Sequence, residues 1–331
     1  MFRDNSAGSF YHAYRIIECL LRCFPGDVFE GICGDGQAAS RIGSLLRYIG
    51  YPPVGELLVM LVAMTPVARL SQLFMISAKG RWQFFEQLST WGFLLKLVEI
   101  VANPEENCFA GSLVEADQHS TSAAHVFLEL VEKLSIEDTG EILLQPLGFN
   151  TILLDVLMDR ALDVTASASR RRACARLICF LLRRAAEPEI MCMLPNSPGA
   201  PPVPTIVPNR LFPLRERIIY HMETKMDKLF ESILAYGDPV STPNPSAPVS
   251  YSAYQVEQPF GAIRSLLIEV TTLMVESDES IANVIPLSLW GFIFDWTLVY
   301  AYNNIFHSFV YRLVFAVLRL LYSHMLCLYQ Y

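Results

Sequence analysis

Three groups of residues have types and spacings that chemistry uses. Asp117, His119 and Ser120 place an acid, a base and a hydroxyl within four consecutive residues. A hydrolytic triad needs side chains that converge in space, with the base oriented towards its nucleophile. Residues this close in sequence rarely converge. Asp117 or Ser120 is expected instead to cap a helix that begins near Ser122, by accepting a hydrogen bond from its free first amides. Cys19 and Cys23 stand four apart, as ligands on one helix face would, but no second pair completes a set of four. They are expected to be small buried hydrophobes. Gly31 to Gly36 reads GICGDG. A phosphate loop of the Walker type needs Lys-Ser or Lys-Thr after its last glycine, and Gln37-Ala38 stands there. A dinucleotide fingerprint needs a preceding strand, which Arg22 to Glu30 does not supply. A turn between helices is the expectation.

Two polar groups are better suited to binding than to catalysis. Arg170, Arg171, Arg172, Arg176, Arg183 and Arg184 form the one concentrated basic feature. On a helix, Arg172, Arg176 and Arg183 fall near one face, and Leu177, Phe180 and Leu181 fill the other. Arginine forks match carboxylates and phosphates, so an acidic partner surface could dock there; a solvated helix face is the alternative. Asn303, Asn304 and His307 interrupt the most hydrophobic part of the chain. Asn304 and His307, three apart, share a helix face, and buried amides and imidazoles need partners. Either an asparagine caps the last long helix, or the group offers hydrogen bonds to a partner's backbone.

The elements that must position these residues are helices. Apolar residues recur at three and four along Phe10–Phe24, Ile42–Ile49, Leu57–Val62, Trp91–Val101, Ala123–Leu134, Phe149–Leu162 and Arg170–Ala185, the spacing of one helix face. Pro25-Gly26, Pro52-Pro53 and Asn103-Pro104 punctuate them. Strand signals are poor. Residues 195–213 and 237–256 are proline-rich and read as loops, since proline lacks the amide donor and clashes with the preceding helical turn. Between them, 214–236 reads as one amphipathic helix. Residues 1–194 and 257–331 read as the N-terminal and C-terminal helical-repeat parts of one continuous domain. Many helices in succession predict an all-α fold, an α-solenoid of degenerate HEAT- or armadillo-like repeats, with an extended surface suited to binding.

Composition narrows the function. The 331 residues are 53% hydrophobic and carry a formal net charge of −8. An acidic chain has no global reason to bind nucleic acid, which rests on neutralising phosphates. The eight cysteines include no C-x-x-C pair and no histidine cluster at zinc spacing, so no metal or other cofactor is expected, and free thiols in a reducing compartment are. Residues 1–8 are polar and lead straight into a helix pattern, so no leader is expected. Residues 285–328 are strongly apolar, but Asp295, Asn303, Asn304, His307 and Arg312 interrupt them before ~18 apolar residues accumulate. A membrane anchor is therefore the weaker alternative.

The run Tyr300-Ala301-Tyr302-Asn303-Asn304-Ile305-Phe306-His307-Ser308-Phe309-Val310 resembles the Y-x-W-N-N-F-L-H-x-x-V core of SAPS-domain proteins. These are regulatory subunits of protein phosphatase 6 and its yeast counterpart. Leu97-Val98-Glu99-Ile100-Val101 is similar to that family's R-L-V-E-I-V stretch. Asp117-x-His119-Ser120 follows as the family's D-x-H-S does, and then comes Leu128-Glu129-Leu130-Val131. Ile263-Arg264-Ser265-Leu266-Leu267 resembles its V-I-R-L-I segment. Tyr302 departs from the family's tryptophan. The matches enter the family's domain near Phe10 and stop soon after the Asn-Asn-x-x-His helix, which implies a divergent or partial member. The resemblance implies a non-catalytic scaffold that binds a Ser/Thr phosphatase catalytic subunit and directs its substrates. It further implies a cytoplasmic location, with the nucleus as a second site, and no small-molecule ligand. The candidate partner-binding residues are Tyr302, Asn303, Asn304, His307, Arg172, Arg176 and Arg183. A generic helical adaptor is the alternative.

Overall fold

The computed structural model describes residues 9–33, 36–63, 78–107, 112–195, 201–236, 249–250, 255–256 and 259–329. The polar stretch 1–8, Cys108, the middle of the GICGDG run and residues 237–248 of the second proline-rich stretch lie outside them. The described residues are predominantly helical, as the periodicity predicts. In chain order the helices are α1 (Phe10–Cys23), α2 (Pro25–Cys33), α3 (Ala38–Leu46), α4 (Pro52–Ala63), α5 (Ala78–Trp91), α6 (Phe93–Ala102), α7 (Pro104–Asn107), α8 (Leu113–Leu134), α9 (Glu141–Leu144), α10 (Pro146–Phe149), α11 (Thr151–Leu162) and α12 (Ala168–Ala186). Strands β1 (Glu189–Pro195) and β2 (Pro202–Pro208) follow, then α13 (Arg215–Glu223), α14 (Met226–Leu234), β3 (Val249–Ser250), β4 (Gln255–Val256), α15 (Ala262–Ser277), α16 (Leu287–Val299) and α17 (Asn304–Tyr329). No single helix among the described residues is long and apolar enough to cross a membrane. One bent pair, Asp138–Phe149 with Thr151–Leu162, meets the length and composition.

The chain divides into two compact units, Met1–Leu157 with Arg184–Ile218, and Met158–Arg183 with Ile219–Tyr331. In the first, α8 packs against α4 and α6. Its buried face is Ala116, Ala123, Val126, Phe127, Leu130 and Leu134, the three-and-four spacing that makes a helix amphipathic. Leu57, Leu58, Leu97, Val98 and Val101 face the same core, each essentially without solvent contact. In the second unit α15 packs against α17 and α14, and α16 against both α14 and α17. Trp296, Tyr300, Phe306 and Phe260 are buried together there, with ring centroids 4.4 to 5.7 Å from Phe260.

Two stretches differ from expectation. The first proline-rich stretch is not wholly a loop, because Pro202–Pro208 pairs antiparallel with Glu189–Pro195. Pro202, Pro204 and Pro208 share one parity of β2, the more exposed one. Asn209 N–H, of the opposite parity, donates to the Pro188 carbonyl, so the prolines' missing donors all turn away from the partner strand, the arrangement a strand tolerates. Asn209 closes this hairpin, its amide donating to the Arg184 and Glu187 carbonyls at 2.6 Å while its carbonyl accepts from Leu211 N–H. The second difference is that 214–236 is two helices. The Thr224 hydroxyl donates to the His221 carbonyl at 2.7 Å and Lys225 N–H to the Met222 carbonyl, which ends α13 before α14 begins. β3 and β4 form a short antiparallel pair within the second proline-rich stretch.

The cysteines divide by exposure. Cys19 and Cys23, expected to be buried, are exposed on α1. The apolar stripe that faces inward on α1 is Ala13 and Leu21, and the cysteines lie off it. Cys174 and Cys179 are buried on α12, where burial pushes both thiols up to about 12; Arg160 and Arg183, respectively, oppose that rise. Only the thiolate is nucleophilic. At about pH 8, a maleimide is therefore expected to label Cys19 and Cys23 in the folded protein, and Cys174 and Cys179 only after denaturation. Peptide mass spectrometry reads this directly, and rapid native labelling of Cys174 would contradict it.

Candidate functional site

Asp117, His119 and Ser120 do not form a triad, and they do not cap a helix. They lie inside α8, whose cap is Ser112, with a side chain that accepts from Glu115 N–H at 3.2 Å. The helix starts about two turns earlier than its apolar periodicity suggests. His119 is buried, with Nδ1 2.8 Å from the Glu115 carbonyl oxygen. A carbonyl only accepts, so Nδ1 carries the proton. The Ser120 hydroxyl donates to the Val101 carbonyl at 2.6 Å, tying α8 to α6 rather than meeting the imidazole. Among the described residues no cluster of three or more His, Cys, Asp or Glu side chains could hold a metal ion.

The second unit brings the two candidate binding groups together. A groove of about 690 Å³ is lined by Arg172 and Arg176 from α12, by Phe260, Gly261, Ser265, Leu266 and Glu269 at and beyond the start of α15, and by Tyr302, Asn303, Asn304, Ile305 and Phe309 around the start of α17. Helical spacing explains the arginine wall. Ala173, Cys174, Leu177 and Leu181 bury one face of α12, and Arg172 and Arg176, one turn apart, stay exposed on the other. Neither arginine has an ion-pair partner among the described residues. Arg183 does not line the groove; it forms an ion pair with the buried Glu269.

The asparagine wall is built by a helix cap. The Asn303 side-chain oxygen accepts from Phe306 N–H at 3.1 Å, fixing the entry of α17. Asn304 follows, exposed, with a side-chain amide that has no hydrogen-bond partner among the described residues. His307 turns away from the groove. Its ring packs edge-on to Phe306 and Tyr311, and its Nε2 is buried without a partner among the described residues. So the run splits into a cap, a groove-facing amide and an interior imidazole.

Sequence reasoning missed the residue that braces Phe260, one of the groove's lining residues. Arg264 is buried beneath Phe260, with its guanidinium carbon 4.5 Å from that ring, 5.0 Å from Trp296, 5.1 Å from Tyr236 and 5.4 Å from Tyr300. Its Nε–H donates to the Phe260 carbonyl at 2.8 Å. Burial pushes its pKa down, and a hydrogen bond with Tyr300 opposes the shift. The negative faces of the rings stand where a carboxylate would otherwise be needed. The available signal was the lone cation in the apolar stretch 262–275. Gly261, with φ of 87°, makes the turn into α15 in a region that favours glycine.

A cavity of similar size in the first unit, about 630 Å³, is lined by Ser40, Gly43, Ser44, Arg47, Trp91, Lys96 and Glu106 among others. It mixes both signs of charge. No family model matches the chain, and no curated protein or solved structure matches it either.

Proposed function

We propose that the chain is a non-catalytic helical scaffold, of stacked HEAT- or armadillo-like repeats, that binds a partner protein through the groove of its second unit. The partner is the catalytic subunit of a phosphatase 6-type Ser/Thr protein phosphatase, whose substrates the scaffold directs in the cytoplasm or nucleus. The observation that carries the binding reading is one groove bordered by two arginines without an ion-pair partner among the described residues and by Tyr302, Asn303 and Asn304. Those three belong to the run that resembles the SAPS-domain core, and that resemblance supplies the partner's identity.

The test is direct reconstitution of the folded full chain with a purified phosphatase 6-type catalytic subunit, followed by size-exclusion chromatography. Co-elution is the expected result, and a catalytic subunit that elutes alone overturns the assignment. Asn304→Ala is expected to weaken the complex while changing stability by less than about 0.5 kcal/mol, since the side chain is exposed and has no hydrogen-bond partner among the described residues. Loss of stability together with binding would make Asn304 a structural residue.

A further inference from the structure

We propose that the second unit's groove is a receptor for an acidic, extended peptide segment whose Asp or Glu carboxylates lie beside bulky apolar residues. The inference deepens the reading of this groove as a partner-binding site and does not depend on the partner being a phosphatase.

Charge complementarity selects the occupant. Glu269 is the one carboxylate among the described lining residues, and Arg183 pairs with it. Arg172 and Arg176 are left as a pair of exposed forks one helical turn apart, shaped for bidentate recognition of carboxylates. The helix ends add to the same sign. α12, α15 and α17 carry no acidic residue in their first turns. α15 has no side-chain cap at Gly261, and both Gly261 and the opening residues of α17 border the groove. Helix N-termini bear partial positive charge, so the starts of α15 and α17 add to the arginines in favouring an anion at the groove, although the whole chain is acidic.

The rest of the lining sets the form of the ligand. Phe260, Leu266, Ile305 and Phe309 give apolar walls, which reward buried side chains beside the charge. The Asn304 amide, without a hydrogen-bond partner among the described residues, offers an NH2 donor group and a carbonyl acceptor, the pair that an extended backbone presents in complement. A free small anion would leave the apolar walls wet, and a basic or neutral peptide would leave the arginines unanswered.

The experiment is selection of a random dodecapeptide display library on the purified full chain, followed by fluorescence polarisation with the selected peptides. Enrichment of Asp or Glu within a few residues of Leu, Ile or Phe is expected. Affinity is expected to fall roughly tenfold in Arg172→Gln/Arg176→Gln and further in the double charge reversal to glutamate, with only part of the loss restored by lysine at both positions, which keeps the charge but lacks the fork. Rising salt should weaken the native protein's binding more than the double-glutamine variant's. Both arginines are exposed, so circular dichroism should show unchanged folding. Selected peptides without acidic enrichment, no selectable peptide, or affinities insensitive to both arginines would each overturn the proposal. Acidic peptides bound without the phosphatase subunit would remove that partner and leave the groove assignment standing. A phosphatase complex indifferent to the arginine variants, with no acidic selection, would do the reverse.

Discussion

Gly140→Ala is expected to cost about 3 kcal/mol of stability, at the upper end of what overpacking usually costs. Gly140 sits in the reversal that follows α8, and its N–H donates to the Glu137 carbonyl at 3.0 Å. A Cβ added there would fall on the Leu134 carbonyl oxygen. That oxygen is not free to move, because it accepts from Glu137 N–H and belongs to the last turn of α8. Relief therefore requires shifting backbone in a segment that places both α8 and α9. Gly291→Ala makes the contrast. It lies exposed on α16, where an added Cβ meets nothing within 4 Å. Alanine there should stabilise by roughly 0.5 to 1 kcal/mol, because it narrows the unfolded ensemble and favours helix. Urea denaturation of the two variants should move the midpoints in opposite directions. Equal, small effects would mean that the reversal at Gly140 is looser than its geometry shows.

Arg264→Ala is expected to destabilise the second unit by about 3 to 4 kcal/mol, through an aromatic-lined cavity and an orphaned Phe260 carbonyl. Arg264→Met should recover at least half of that loss. Methionine refills most of the volume, and removing the charge also removes the desolvation that pushes the guanidinium's pKa down. Arg264→Lys keeps the charge but lacks the fork that reaches the Phe260 carbonyl, and should fall between the two. A methionine variant as unstable as alanine would show that the cation–π contacts and hydrogen bond outweigh packing. The site has a stake in the result, because Phe260 and Gly261 border the groove. Arg264→Ala should weaken acidic-peptide binding even with Arg172 and Arg176 intact, and Arg264→Met should restore binding in step with stability.

Much of the helical frame was legible because it follows from local rules. The three-and-four spacing of Leu94, Leu97, Val98 and Val101 marks a buried face whatever the face meets, and Asn103-Pro104 ends that helix for reasons confined to a few residues. The same rules were weaker at ends and breaks. α8 starts at Leu113 and not near Ser122, because a cap with a mostly exposed first turn carries no apolar period. Residues 214–236 held one amphipathic pattern across two helices, and a single threonine hydroxyl bonded back to His221 is too small a signal to mark the break. The prolines of β2 argued against a strand until pairing with β1 showed that all of them share the outward parity.

By itself, the sequence determined that this protein is built of helices, that Arg172, Arg176 and Arg183 fall near one helix face, and that Asn303 or Asn304 stands where a cap for the last helix is available. Those properties depend on neighbours within one or two turns. Only the tertiary structure decided that the arginines of α12 border the same groove as the turn into α17, that Arg183 is engaged by Glu269 and left out of it, and that Arg264 lies in a cage of four rings. These residues are separated by tens of positions along the chain, and no local spacing encodes their distance. Burial of Phe260, Trp296, Tyr300 and Phe306 in one core brings them together, since each ring leaves water only by meeting the others.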